Sequence, residues 1–249
     1  MLTFIFFSPR VIDYAMTGNS TNKKTEDVSI DDTTNSAHTT EKLVWLASYP
    51  RSGNTLLRTI LWHCFGAPSA SIYIDDLGNN EDLVDMAGHL EHKSGKQIWF
   101  PKEHTPLIKT HELPPDDKPA IFVIRDGREA CVSLWKFYNG QISMEDVIAG
   151  NHRFGTWSAH YDAWNPVSRP NTLGVRYEDM LNKRSKVLSE ISSFLNLEVI
   201  GETIPDREAM AKAGGRWVKK KSNWRAHLFG PVLKQFNQVN KGTMKSLGY

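Results

Sequence analysis

One short apolar segment, followed at once by a tight turn and an amphipathic stretch, constrains the fold more than any other feature of this chain. Residues 43–48 are apolar almost throughout and have the length of a buried β-strand. The turn that follows, residues 49–54, contains Pro50 and Gly53. From Thr55 onward apolar residues recur at helical spacing, which predicts a helix directly after the turn.

The same order of elements recurs further along the chain. Residues 120–124 predict a second buried strand, residues 125–128 a turn, and residues 129–138 a helix. Residues 171–176 predict a weaker third strand, and residues 185–197 an amphipathic helix. Strands that alternate with helices predict a single α/β domain, in which helices flank both faces of a mostly parallel sheet.

The ends of the chain differ from this pattern. Residues 17–41 are rich in Ser, Thr, Asn and Asp, so we expect residues 1–41 to be a disordered tail before a domain at 42–249. Translation from Met16 would remove part of that tail. The apolar start of the chain is only about seven residues long, so we expect no stable membrane insertion. Two cysteines, Cys64 and Cys131, do not make a disulfide framework, and we expect a cytoplasmic protein.

Charge is distributed unevenly over the 249 residues, although the net charge is only +2. Residues 209–249 contain nine basic side chains and no acidic one, whereas residues 42–208 are net acidic. The basic block indicates either a local anion site or a solvated surface. Because the rest of the domain is net acidic and no reader motif is present, we expect no nucleic acid as a partner.

The turn after the first predicted strand has the chemistry of an anion cradle. Residues 51–55 read Arg-Ser-Gly-Asn-Thr, which offers a cation, hydroxyls and the N–H groups of a helix start to one ligand. A simple helix cap made by Ser52 or Asn54 is about equally compatible with this spacing. The ATP-type phosphate loop is excluded because no Lys follows Gly53.

This turn resembles the 5′-phosphosulfate loop, Y-P-K-S-G-T-T-W, of sulfotransferases that use 3′-phosphoadenosine-5′-phosphosulfate (PAPS). Arg51 replaces the family's Lys, Asn54 its first Thr and Leu56 its Trp, which in the family stacks near the adenine. The resemblance implies that the 5′-phosphosulfate is bound by this loop, through Arg51, Ser52, Gly53, Asn54 and Thr55.

Two later segments are similar to family motifs in the same order. Residues 109–114, Lys-Thr-His-Glu-Leu-Pro, match K-T-H-L-P with one inserted residue, which implies His111 as the catalytic base and Lys109 at the transferring sulfuryl group. Residues 125–133 match R-x-x-x-D-x-x-V-S with Glu in place of Asp, which implies that Arg125 and Ser133 bind the 3′-phosphate.

Three further segments agree with the family. Residues 155–164 match G-x-W-x-x-H-x-x-x-W, and we interpret their two tryptophans as core residues. Residues 176–180 resemble the segment that places a tyrosine, here Tyr177, at the adenine. Residues 215–227 match the family's basic R-K-G segment only in part, and Arg216 is the best candidate there for the 3′-phosphate. Lys219, Lys220 and Lys221 are the alternatives.

The resemblance implies a P-loop-like sulfotransferase fold and sulfuryl transfer from PAPS to a hydroxyl or amine, with PAP as the second product. His111, Lys109 and Arg51 would be catalytic, and no metal would be required because fixed cations neutralise the charge. The acceptor would be a small molecule, a glycan or a lipid, bound by residues 66–106 and 139–170. The aromatic residues expected to line its pocket are Tyr73, Trp99, Phe100 and Tyr138. A kinase-like P-loop enzyme and a catalytically inactive nucleotide-binding protein are the alternatives, and the sequence indicates no oligomeric state.

Overall fold

The computed structural model describes residues 42–92, 98, 100–101, 103–214 and 223–249. The predicted tail at 1–41 and the basic segment that contains Arg216 and its lysine alternatives lie outside the described residues.

The described chain forms one α/β fold around a sheet of five parallel strands, which confirms the predicted fold class. The strands are β1 (Val44–Ser48), β2 (Ala70–Ser71), β3 (Leu107–Thr110), β4 (Ala120–Ile124) and β5 (Thr172–Arg176). They lie in the order β2-β3-β1-β4-β5, so β1 is central, with Leu46 opposite Lys109 on one side and Ile121 on the other. The connections after β1 and β4 lead away in opposite directions, which opens a crevice at the carboxyl ends of these two strands.

The nine helices of the described residues include the three that the sequence patterns predicted, whose boundaries are shifted by one or two residues. They are α1 (Asn54–Phe65), α2 (Glu81–Ala87), α3 (Gly127–Tyr138), α4 (Met144–Ala149), α5 (Trp157–Trp164), α6 (Tyr177–Asn182), α7 (Arg184–Leu195), α8 (Arg207–Ala213) and α9 (Gly230–Ser246), with short 3-10 helices at Asp76–Asn79 and Trp224–Ala226. The patterns predicted α1, α3 and α7 as well as β1, β4 and β5, and they predicted neither β2 nor β3.

Helices cover both faces of the sheet because the central strands carry apolar residues on both faces. Leu46 packs with α1 and α7 on one face, whereas Ala47 and Phe122 pack with Trp164 of α5 on the other. Trp157 is buried against Gly127, where an added Cβ would lie 2.6 Å from the indole ring. Both tryptophans are therefore core residues, as predicted.

Candidate active site

The turn between β1 and α1 has the backbone of an anion-binding loop. Gly53 has φ of 110° and serves as the N-cap of α1, while Arg51 has φ of 66°, which is rare for a residue with a side chain. No described side chain caps the first turn of α1, so the helix-cap interpretation of Ser52 and Asn54 is wrong. Asn54 instead donates from Nδ2 to the Leu46 carbonyl at 2.8 Å, which ties the start of α1 to β1.

Ser52 gives this loop an unused polar group. The residue is 1% exposed, and among the described residues its Oγ has no hydrogen-bond partner. A buried hydroxyl without a partner costs free energy unless a ligand satisfies it. Together with the uncapped N–H groups of α1, which is 12 residues long, the loop fits a bound phosphate or sulfate oxygen.

Two arginines lie close together in the crevice between β1 and β4. Arg125, at the end of β4, donates from Nη1 to the Arg51 carbonyl at 2.7 Å. Arg51 donates from Nε to Ser133 Oγ on α3 at 3.3 Å. Two guanidinium groups and a hydroxyl therefore lie next to the loop, which is the donor set that a phosphate-rich ligand requires.

Tyr177 completes this side of the crevice. It follows β5 directly, and its ring centroid is 4.5 Å from the Arg125 guanidinium. A Cβ on Gly53 would overlap the Tyr177 ring, so only glycine lets the loop and the ring approach this closely. Glu178 holds the neighbouring strand ends together, because Oε1 accepts from the Asp126 N–H at 3.3 Å and Oε2 accepts from Tyr249 Oη at 2.9 Å.

His111 lies at the end of β3, on the other side of β1. Its Nδ1 is 2.8 Å from the Ser48 carbonyl oxygen, which can only accept, so Nδ1 carries the proton. The ring stacks on Tyr73 at 5.9 Å between centroids and meets the edge of Phe154 at 6.0 Å. Burial, and then the charge of Lys109, hold the pKa of His111 well below its usual value. The imidazole is therefore neutral at pH 7, with a lone pair on Nε2.

The backbone at His111 is held by a second histidine. His160 is 1% exposed and donates from Nε2 to the His111 carbonyl at 2.9 Å. Burial lowers the pKa of His160 to about 4, so it stays neutral at physiological pH. His160 therefore supports the backbone at the end of β3, and its ring also meets the ring of Tyr49, the first residue of the turn, at 5.7 Å between centroids.

Lys109 belongs to a buried cluster of charges that the sequence did not indicate. The Nζ atom pairs with Asp76 Oδ1, and Asp76 Oδ2 pairs with Arg58 Nη1 at 2.6 Å. Arg58 donates in addition to Ser69 Oγ at 2.8 Å and to His89 Nδ1 at 2.6 Å. We call Arg58, Asp76, Lys109 and His89 the buried charge cluster.

The structure thus brings together the predicted site residues of the described chain around the loop after β1. Arg51, Ser52, Gly53, Asn54 and Thr55 form the loop and the first turn of α1, and Lys109, His111, Arg125, Ser133 and Tyr177 surround it. Of the aromatics expected at the acceptor pocket, Tyr73 contacts His111, Tyr138 packs near His152 and Phe100 is half-buried. Trp99 lies outside the described residues.

The described residues were compared with the requirements of a metal site and of a membrane-spanning helix. Within the described ranges, no group of three His, Cys, Asp or Glu side chains is arranged to hold a metal ion. No helix in the same ranges is both long and apolar enough to cross a membrane.

The fold and the loop define an α/β protein with a loop suited to an anion at the end of its central strand, and comparison with known proteins identifies its family. The family model described as "Sulfotransferase domain" matches residues 41–246. The chain therefore belongs to the sulfotransferase family.

Curated relatives agree with this assignment. The chain is 28% identical over 172 residues to mouse sulfotransferase 2A6, an alignment that covers 60% of this chain and 58% of the relative. It is 24% identical over 183 residues to mouse sulfotransferase 1B1, covering 65% of this chain and 60% of the relative. The chain thus spans less than two thirds of the length of either relative.

Solved structures share the fold at low sequence identity. A retinol dehydratase in complex with androsterone and the inactive cofactor PAP matches with a TM-score of 0.59 and 18% identity, covering 82% of this chain and 81% of the other. Mouse sulfotransferase SULT7A1 complexed with PAP matches with a TM-score of 0.56 and 18% identity, covering 82% and 84%.

Proposed function

We propose that this protein transfers a sulfuryl group from PAPS to a hydroxyl or amine of a small-molecule acceptor, with His111 as the general base. PAPS supplies the activated sulfuryl group and PAP leaves as the product. Family membership and the PAP complexes of the structural neighbours support the use of this donor.

The observation that carries the proposal is the hydrogen bond from His111 Nδ1 to the Ser48 carbonyl. It leaves the Nε2 lone pair available to accept the acceptor's proton, and the lowered pKa keeps the ring in that form at neutral pH. A base so placed at the end of β3 lies one strand away from the loop that fits the sulfate. The chain therefore offers a base and an anion cradle on neighbouring strands.

The donor would be held on both sides of the loop. Ser52 Oγ and the first N–H groups of α1 suit the 5′-phosphosulfate, because they are buried or uncapped and lack partners in the described chain. Arg125 and Ser133 suit the 3′-phosphate, and Tyr177 offers an aromatic face for the adenine. Fixed donors and cations of this kind stabilise charge as it develops during group transfer, as in phosphoryl transfer.

The acceptor would enter next to the Tyr73 and Phe154 rings that flank His111. One polar pair borders these rings, because Arg153 bonds to Glu112 at 2.7 Å and lies 5.6 Å from the Tyr73 centroid. Two half-buried aromatic faces suit a small organic acceptor, the class to which androsterone in the neighbouring structure belongs.

The two cysteines bear on the location of the protein in the cell. Cys64 and Cys131 are both buried and free, which suits the reducing cytoplasm.

The test is calorimetric titration of the protein with PAP, followed by an acceptor screen with PAPS labelled at the sulfuryl group. We expect saturable PAP binding at one site and transfer of label to at least one hydroxyl- or amine-bearing acceptor. Lack of PAP binding would overturn the proposal. Binding without transfer to any acceptor would favour the inactive nucleotide-binding alternative.

A further inference from the structure

The buried charge cluster carries an excess of positive charge. Arg58 is 0% exposed, Asp76 4% and Lys109 5%, so two cations share one carboxylate away from solvent. His89 adds no charge at neutral pH, because burial and the nearby Arg58 lower its pKa to about 4. Burying an ion is costly unless an opposite charge is near, so this arrangement favours an additional anion within reach of Lys109.

Asp76 is the group that offsets the cost of burying Lys109. Burial lowers the pKa of the Lys109 ammonium, whereas Asp76 raises it by direct pairing. The charged and titratable groups around Lys109 in the described chain are Asp76, Arg58, Arg51, Tyr73, His89 and His111. Only Asp76 among these is negative at neutral pH, so the charge of Lys109 depends on it.

Lys109 lies close to His111, the proposed general base. It lies in β3, two residues before His111, which follows directly after that strand. The Nζ atom is 5.4 Å from the centroid of Tyr73, the ring that stacks on His111. Lys109 and the proposed base are therefore neighbours across one aromatic ring.

Arg58 gives Asp76 a second partner on its other oxygen. Lys109 uses Oδ1 and Arg58 uses Oδ2, and Arg58 is anchored further by Ser69 and His89. If the ammonium group moves from Asp76 to a ligand, Asp76 keeps one ion pair. The movement therefore does not leave a buried carboxylate without a partner, which would be strongly unfavourable.

We propose that Asp76 is a positioning residue for Lys109, which it keeps charged beside His111, and that Arg58 keeps Asp76 paired when Lys109 turns to the sulfuryl oxygens of the donor. The second half of this inference rests on the proposed function. The first half concerns the donor-free protein and is tested without PAPS.

The donor-free test measures the pKa of Lys109 by NMR in protein labelled with ¹³C at the lysine Cε. Loss of its signal in Lys109→Met assigns the resonance. We expect Lys109 to be charged at pH 7 in the wild type, and its pKa to fall by about one pH unit or more in Asp76→Asn. Asp75→Asn is the matched control, because Asp75 is exposed and adjacent, and it should leave the Lys109 pKa unchanged.

The inference is overturned if Lys109 is already neutral at pH 7 in the wild type, or if its pKa is the same in Asp76→Asn. The wild-type measurement decides the point even if Asp76→Asn does not fold. Asp76→Glu then gives a second comparison. It retains the carboxylate and is expected to retain a charged lysine at pH 7, and a neutral lysine in that variant would also contradict the inference.

The donor-dependent test compares dissociation constants for PAPS and PAP over a pH range that ends at the Lys109 pKa measured by NMR in Asp76→Asn. Lys109 is proposed to reach only the sulfuryl group, so the ratio of the two constants isolates its contribution. We expect a constant preference for PAPS in the wild type, a preference that declines with rising pH in Asp76→Asn, and a low, constant ratio in Lys109→Met. PAP affinity itself should change little.

The possible failures are distinct. Equal weakening of PAPS and PAP in Asp76→Asn, with an unchanged ratio at every pH, would show a merely structural residue and overturn the inference. A wild type that binds neither nucleotide would refute the proposed function and with it the donor half of the inference, while the NMR titration still decides whether Asp76 keeps Lys109 charged.

Discussion

Replacing Arg125 by lysine tests the proposed recognition of the 3′-phosphate separately from the rest of donor binding. The Arg125 guanidinium is held in place at one end by the Arg51 carbonyl, 2.7 Å from Nη1, while Nη2 lies 3.8 Å from Glu129. Lysine keeps the positive charge and loses the planar fork that contacts two phosphate oxygens at once.

The expected magnitude follows from the contact that is lost. A hydrogen bond between charged partners contributes about 1.5–3 kcal/mol, so Arg125→Lys should raise the dissociation constant of PAP about 10- to 150-fold. Adenosine 5′-monophosphate has no 3′-phosphate, and its affinity should change by less than about threefold, well inside 1.4 kcal/mol. The assay is calorimetric titration of both nucleotides at one ionic strength.

Arg128→Lys is the matched control for this comparison. Arg128 lies three residues further on, pairs with Asp126 at 2.7 Å and packs over the Trp224 ring, so it is held away from the loop. Its replacement should leave both affinities nearly unchanged. The reasoning is refuted if Arg125→Lys binds PAP as tightly as the wild type, or if PAP and the monophosphate weaken by the same factor.

Three further predictions follow from the site and the core. His111→Ala should lower turnover about 10²- to 10⁴-fold, measured by transfer of label from PAPS, with PAP affinity retained because the base does not hold the nucleotide. Gly53→Ala should lower both the melting temperature and PAP affinity, because a Cβ at this position overlaps the Tyr177 ring. Gly140→Ala is the control: Gly140 has φ of 83° and no atom within 4 Å of an added Cβ, so its replacement should cost backbone strain only. The free energy of unfolding should fall as pH drops below about 6.5, because His89 and His160 have pKa values of about 4 in the folded protein and take up protons more readily when it unfolds. At pH 5 each of the two histidines should lower the free energy of unfolding by about 2 kcal/mol.

Each of these has a contrary outcome. Near-normal turnover of His111→Ala would remove it as the base. Equal loss of stability in the two glycine variants would show that the overlap with Tyr177 is unimportant. Denaturant unfolding curves with the same midpoint at pH 7 and pH 5 would show that the two buried histidines do not resist protonation.

The strands and helices with strong patterns were predictable from the sequence. Residues 43–48 and 120–124 are short apolar runs bounded by turn residues, and both are strands of the sheet centre. β3 was missed because Leu107–Thr110 contains Lys and Thr, whose burial depends on partners elsewhere in the chain. β2 is two residues long and carries no pattern of its own.

The loop residues and the residues around them could likewise be identified from the sequence, because the spacing of the motifs reflects the order of the strand ends along the chain. The buried pair of Asp76 and Arg58 could not be identified in this way. Arg58 on an otherwise apolar helix face was a usable signal of a buried ion pair, but its partner lies in an irregular segment that no period marks. Local sequence can indicate that a charged side chain is buried, but it does not indicate which residue pairs with that side chain.

The arrangement of strands around β1 also determines when the site can exist during folding. Ser48 meets His111 across 63 positions of the chain, and Arg51 meets Arg125 across 74. Contacts between segments this distant form late, after the closure of long loops, whereas α1 can form from local interactions. PAP should therefore not bind early, partly helical states of the refolding chain, and recovery of PAP binding should follow the slowest step in which β3, β1 and β4 reach their final register.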